Sequence, residues 1–161
     1  MSQHATHASF IPYLEILDRD LARLKEDTLK PASALPAEVG GRGIYVFYEG
    51  NSPLYVGRSN TLRKRIQQHC RPASTHNQAT FAYRIAGTEL GLPRAGYHPD
   101  DSRARRLETN AALRSAFSKA KERIRAMSVR ILKVDDPRQQ ALFELYAAIV
   151  FETPYNDFDN H

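Results

Sequence analysis

The sequence predicts a small α/β domain: a three-stranded, mainly antiparallel sheet flanked by helices. Three observations carry this. From Gly43 to Tyr48 the chain reads Gly-Ile-Tyr-Val-Phe-Tyr, rich in β-branched and aromatic residues. Turn chemistry from Glu49 to Pro53 and a second short run, Leu54 to Gly57, complete an antiparallel hairpin. On both sides of it, apolar residues recur every three or four positions, the period of amphipathic helices. A chain of 161 residues with 42% hydrophobic and 25% charged residues suits one soluble domain with its own core.

The first helix follows Ser9 as a candidate cap, with Pro12 in its first turn. Leu14, Leu17, Leu21 and Leu24 form one stripe, which covers the domain's own core or seams a homodimer, so monomer and dimer both stay open. The helix is expected to end near Lys30 and Pro31, and Pro31 to Gly41 reads as a connection. Strands are expected at 43–49, 54–57 and 128–134. Ser59 or Asn60 can cap a helix reaching Cys70, with Leu62 and Ile66 on its buried side and Arg65 and His69 flanking that side. Residues 76–90 read as helix and 91–102 as loop. A long amphipathic helix is expected over 103–127, with Leu113, Phe117, Ala120, Ile124 and Met127 inward. Arg114, Lys119, Lys121, Arg123 and Arg125 fall outside that stripe and are expected to face solvent. Asp135 or Asp136 caps a last helix with Pro137 in its first turn, ended by the tail from Thr153 to Asn156. The organisation expected is one domain over 1–161. Residues 1–42 form a helical extension, 43–156 the core, and about 76–127 a basic helical insertion.

Composition excludes several classes. One cysteine, Cys70, permits neither an intramolecular disulfide nor a cysteine-based zinc site. No run approaches about 18 apolar residues, so no membrane span is expected, and no signal peptide is visible. A reducing cytoplasm is the expected compartment. The net charge of +5 is unevenly spread. Residues 57–72 hold 5 basic residues and no acid, and 103–134 hold 10 basic and 2 acidic residues, net +8. Two basic blocks on an otherwise acidic chain suggest either a polyanion partner such as nucleic acid or simply solvated helix faces. Arg58, Arg63 and Lys64, with Lys119 and Arg123, are the candidate grip on the phosphates of such a partner.

The last helix holds one odd residue. Glu144 is the only charge between Ala141 and Phe151. A helix apolar on all sides is normally buried, and a buried carboxylate needs a partner, a proton or a metal. Its neighbours Ala147 and Ala148 leave room in front of it. One carboxylate suits Mg²⁺, which keeps waters and substrate phosphate as its other ligands.

Gly43-Ile44-Tyr45, followed after nine residues by Tyr55-Val56-Gly57, resembles the paired signature of the GIY-YIG nucleases, with valine for isoleucine in the second half. Arg65 lies eight residues after Gly57 and His69 one turn later, Glu144 falls on the late helix, and Asn156 follows it by twelve, all as in that family's pattern. The match spans about 43–156. The resemblance implies an endonuclease that hydrolyses phosphodiesters with one divalent ion, Mg²⁺ or Mn²⁺, held by Glu144. Arg65 would clamp the phosphate and a tyrosine would serve as general base. Neighbouring positive charge must lower that tyrosine's pKa from about 10. Tyr45 is favoured as base with Tyr55 positioning water or phosphate, and the reverse is chemically equal. His69 orients a tyrosine or water, or contacts phosphate. Gly43, Gly57 and Asn156 would support the site. DNA is the favoured substrate. An RNA-directed nuclease and a catalytically silent nucleic-acid-binding protein on the same scaffold are the alternatives.

Overall fold

In the computed structural model of the protein, which describes residues 7–158, Gly43–Glu49 (β2) and Ser52–Ser59 (β3) pair as the antiparallel hairpin. Ser128–Lys133 (β4) pairs antiparallel with the other side of β2. Among the described residues the sheet has four strands rather than the three expected, in the order β1 (Lys30–Pro31), β4, β2, β3. The extra strand, β1, pairs with Val129 and Ser128 at the sheet edge. Two residues carry no readable alternation, and proline is tolerated there because an edge strand can spare its N–H. Met1 to Thr6 and residues 159–161, the ends of the expected domain, lie outside the described residues.

β2 is buried on both faces, and its side chains alternate between two cores. Ile44, Val46 and Tyr48 join Val56 and Leu132 beneath Ile11–Glu26 (α1) and Pro137–Val150 (α6). Leu17, Leu21 and Leu24 of the leucine stripe fill this layer, whereas Leu14 is exposed. Tyr45, Phe47 and Tyr55 face the opposite core, built on Leu62–Cys70 (α2), Thr80–Glu89 (α3) and Ala111–Arg125 (α5).

Several boundaries differ from expectation for local reasons. α1 stops at Glu26, where Asp27 turns to extended backbone. The Asp27 carboxylate accepts from Ile131 N (2.8 Å) and Lys30 Nζ (2.7 Å), tying the helix end to β4. Ser9 does not cap α1; the cap position is Phe10. The expected 103–127 helix is two, Arg103–Thr109 (α4) and α5, because Asn110 adopts an extended conformation and caps α5 by accepting from Leu113 N (3.0 Å). Asp136 caps α6, accepting from Arg138 N and Gln139 N. α6 is not buried all round: Phe143, Ala147 and Ala148 face the core, but Leu145, Ile149 and Val150 are exposed. No helix among the described residues is long and apolar enough to cross a membrane.

The free edge of β3 is covered by the tail. The Asn156 amide donates to Val56 O and accepts from Val56 N, both at 2.8 Å, as an added strand would. Tyr155 N donates to Leu54 O (3.3 Å), and Thr153 Oγ1 donates to Asn156 Oδ1 (2.8 Å). Asn156→Ala should therefore lower stability by about 1–3 kcal/mol, the cost of stranding strand polar groups. Urea unfolding of the variant beside the parent checks this.

Candidate active site

Tyr45 projects from β2 into the helical layer and lies directly opposite Gly57 of β3. A Cβ on Gly57 would collide with the Tyr45 phenol, so this glycine is the space the ring occupies. Gly43 does the same for backbone, because a Cβ there would strike the Leu132 carbonyl on β4. The Tyr45 hydroxyl then reaches His69 Nε2 at 2.9 Å.

His69 sits deeper than its helical phase suggested. It is fully buried among the rings of Tyr45, Phe47, Tyr55 and Phe81. Its Nδ1 has no hydrogen-bond partner. Burial, then the nearby Arg65 and Arg84 cations, hold its pKa well below the ordinary imidazole value, so the ring is neutral. Tyr45 moves opposite to expectation. Burial pushes its phenol well above the usual value, and Tyr55 adds to this, while Arg65 pulls the other way without prevailing. The resting residue is a neutral phenol.

Arg65 is held by Gln78 O (2.9 Å) and Thr80 Oγ1 (3.2 Å) at the start of α3. Tyr55 stacks on Phe81 with centroids 4.6 Å apart, and the Arg84 guanidinium lies 5.8 Å from its ring. Glu144 reaches this neighbourhood from α6, where its Oε2 accepts from Arg58 Nε at 2.9 Å. Burial raises its pKa, and Arg58 and Arg84 oppose the rise. Its charge is felt by Tyr45 in turn. Tyr45, Tyr55, Arg65, His69 and Glu144 thus converge at one end of the hairpin. Arg84 joins them unforeseen. It is the only charge between Phe81 and Thr88, the same lone-charge signal that singled out Glu144.

The basic residues divide differently. Arg58 is half-exposed and Lys64 exposed beside the site. Arg63 turns inward and donates to Leu35 O, Pro36 O and Val39 O. Arg123 pairs with Glu49 (2.8 Å) and Glu89 (3.3 Å), at the end of β2 away from Gly43. Lys121, expected in solvent, is buried and donates to Pro72 O and Ser74 O. Lys119 remains exposed on α5. Cys70 is buried, with its thiol pushed up to about 11, and is inert as a nucleophile.

The hairpin, the helix that follows it and the late helix thus pool two tyrosines, an arginine, an imidazole and a carboxylate. Residues 42–111 match the family model described as GIY-YIG catalytic domain, which supports a GIY-YIG nuclease superfamily domain in that part of the chain. Glu144 and Asn156 lie beyond the matched residues. No curated protein matches the chain. GIY-YIG nucleases are generally dependent on a divalent metal. Among the described residues no three His, Cys, Asp or Glu cluster. Glu144 is the carboxylate in the cleft that could hold such an ion, and its hard oxygens fit Mg²⁺ or Mn²⁺.

Two outcomes are expected. Gly57→Ala should displace the Tyr45 ring and destabilise by about 1–3 kcal/mol, as overpacking does. Thermal melts and loss of the Tyr45–His69 contact in a crystal structure check this. Unfolding also releases His69 to take up a proton below about pH 6.5. Its contribution to stability is therefore complete above that pH and is lost as pH falls towards the depressed folded value. The midpoint of unfolding should drop between about pH 7 and pH 5, and less steeply in His69→Gln.

Proposed function

We propose that the protein is a metal-dependent endonuclease that hydrolyses phosphodiester bonds in DNA. The observation that carries this reading is the linked set at the hairpin end: Tyr45 bonded to His69 at 2.9 Å, Arg65 one turn before His69, and Glu144 on Arg58 at 2.9 Å. Arg65 binds a non-bridging oxygen of the scissile phosphate and offsets the charge that grows there. Glu144 is the residue that would hold Mg²⁺ or Mn²⁺. Bound there, the ion supplies polarisation of the phosphate and stabilisation of the leaving oxygen. Arg58 yields the carboxylate for this and turns to the DNA backbone, where exposed Lys64 assists it.

Tyr45 works as a neutral relay. Its oxygen takes a proton from the attacking water while its own proton passes to His69 Nε2. Burial is the larger cause of the depressed imidazole pKa, and phosphate on Arg65 and near Arg84 offsets the part these two cations add. The imidazole is therefore a stronger base with substrate in the cleft than without it. Tyr55, roofed by Arg84, positions the water or the phosphate. A cytoplasmic setting accompanies this reading, supported by the lone buried Cys70.

A second reading is a nucleic-acid-binding protein without turnover. The Arg58–Glu144 ion pair favours it, because the carboxylate already has a cation. Incubation with single-stranded, duplex and branched DNA, and with RNA, in Mg²⁺, Mn²⁺ or EDTA separates the readings. Cleavage of DNA that EDTA stops supports the first; binding without cleavage of any substrate supports the second. Preferential cleavage of RNA overturns the DNA assignment.

Glu144→Gln should abolish cleavage while DNA affinity stays within a few fold, measured by anisotropy. Arg65→Ala should lower the rate by about 10²–10³, the usual loss of one positioned transition-state donor. Full activity in either variant would remove the mechanism.

A further inference from the structure

A hollow of about 170 Å³ lies beside the site, between α3, the 92–95 loop and the 154–157 tail. Tyr83 and Tyr155 give it aromatic walls. Arg84, Arg94 and Arg103 line it as cations. Arg84 belongs to both places: its guanidinium covers Tyr55 in the cleft, and its Nη1 donates to Tyr155 O at 2.7 Å in the hollow. Arg103 lies 5.5 Å from the Tyr83 ring, so one wall is itself a cation–π pair. Asp157 is the only acidic lining residue, and it pairs with Arg94 at 2.7 Å. Past Ala95 and Arg103, which line both, the hollow runs into a second cleft bordered by His76 and by Tyr97, which is 83% exposed.

The size excludes most occupants. Sites for whole cofactors measure about 300–1,000 Å³. This one suits a single flat ring system. Aromatic walls with a surplus of guanidinium groups suit a flat ring joined to a negatively charged group, which is the chemistry of a nucleotide. A duplex keeps its base faces stacked inside and shows only base edges and phosphates, whereas a single strand offers base faces for stacking. We infer that the hollow takes one unstacked nucleotide of a single-stranded DNA segment adjoining the cleaved phosphate. Its base lies against Tyr83 and Tyr155, its phosphate meets Arg84 or Arg103, and the strand continues towards Tyr97. The position next to the cleaved phosphate rests on the nuclease reading above. The substrates implied are DNA with an unpaired arm, such as a flap or a fork.

Gly87 makes the test clean. It lines the hollow from within α3, and a Cβ there would meet nothing within 4 Å. A side chain added at this helical position fills the space and also favours the helix over glycine. Gly87→Leu is the plug and Gly87→Ala the control, with thermal melts expected at or above the parent midpoint. Anisotropy in EDTA then compares a fluorescein-labelled single strand with its blunt duplex. The plug should weaken single-strand binding about tenfold, the scale of one lost base stack, and duplex binding by less than about twofold. The alanine control should match the parent. Equal losses on both probes, or no loss on the single strand, would overturn the inference. Absence of DNA cleavage by the parent protein in Mg²⁺ and Mn²⁺ would instead overturn the nuclease reading, and the binding comparison would still decide what the hollow holds.

Discussion

The site depends on a side chain that is missing. Gly57 stands opposite Tyr45 in the ladder, and the phenol occupies the volume a Cβ would take. From that position the hydroxyl reaches across to His69. His69 is drawn under the sheet, Arg65 lies one turn back towards the open side, and Tyr55 turns to stack on Phe81. Strand pairing, usually a matter of stability, here also sets the position of the Tyr45 hydroxyl.

The same arrangement holds charge under tension. Two groups that would exchange a proton, Tyr45 and His69, are each pushed by burial towards the neutral form. Arg65 and Arg84 reinforce neutrality at the imidazole, and Arg65 opposes it at the phenol. Glu144, itself raised by burial, is balanced by Arg58. The electrostatics are thus matched to a polyanion that is not yet there. Guanidinium groups outnumber carboxylates around the cleft, and the surplus is what an incoming phosphate diester would neutralise.

Much of this was legible because it is local. The hairpin showed in its β-branched and aromatic residues and its turn chemistry, α6 in Asp136 and Pro137, and Glu144 in its isolation among apolar neighbours. What escaped depends on partners far away in sequence. Arg63 and Arg123 counted as free charge, yet they bond to groups 24 and 74 positions away. Lys121 reaches back 49 positions to the Pro72 carbonyl, so a lysine off the apolar stripe is nonetheless buried. β1 is too short for any period, and Asn110 breaks the expected 103–127 helix just before its apolar stripe begins at Leu113. The depth of His69 was hidden because helical phase gives direction around an axis and not distance from the surface.

The clasp between Asn156 and Val56 spans 100 positions, and Arg58 and Glu144 lie 86 apart. During synthesis the hairpin and α2 leave the ribosome well before the residues that cover β3 and supply the carboxylate. For that interval the nascent chain carries a basic, phosphate-seeking surface without its acidic member. Loop closure over such a distance costs entropy that only the packing of α6 and the tail can repay. Completion of this cluster is therefore coupled to completion of the fold.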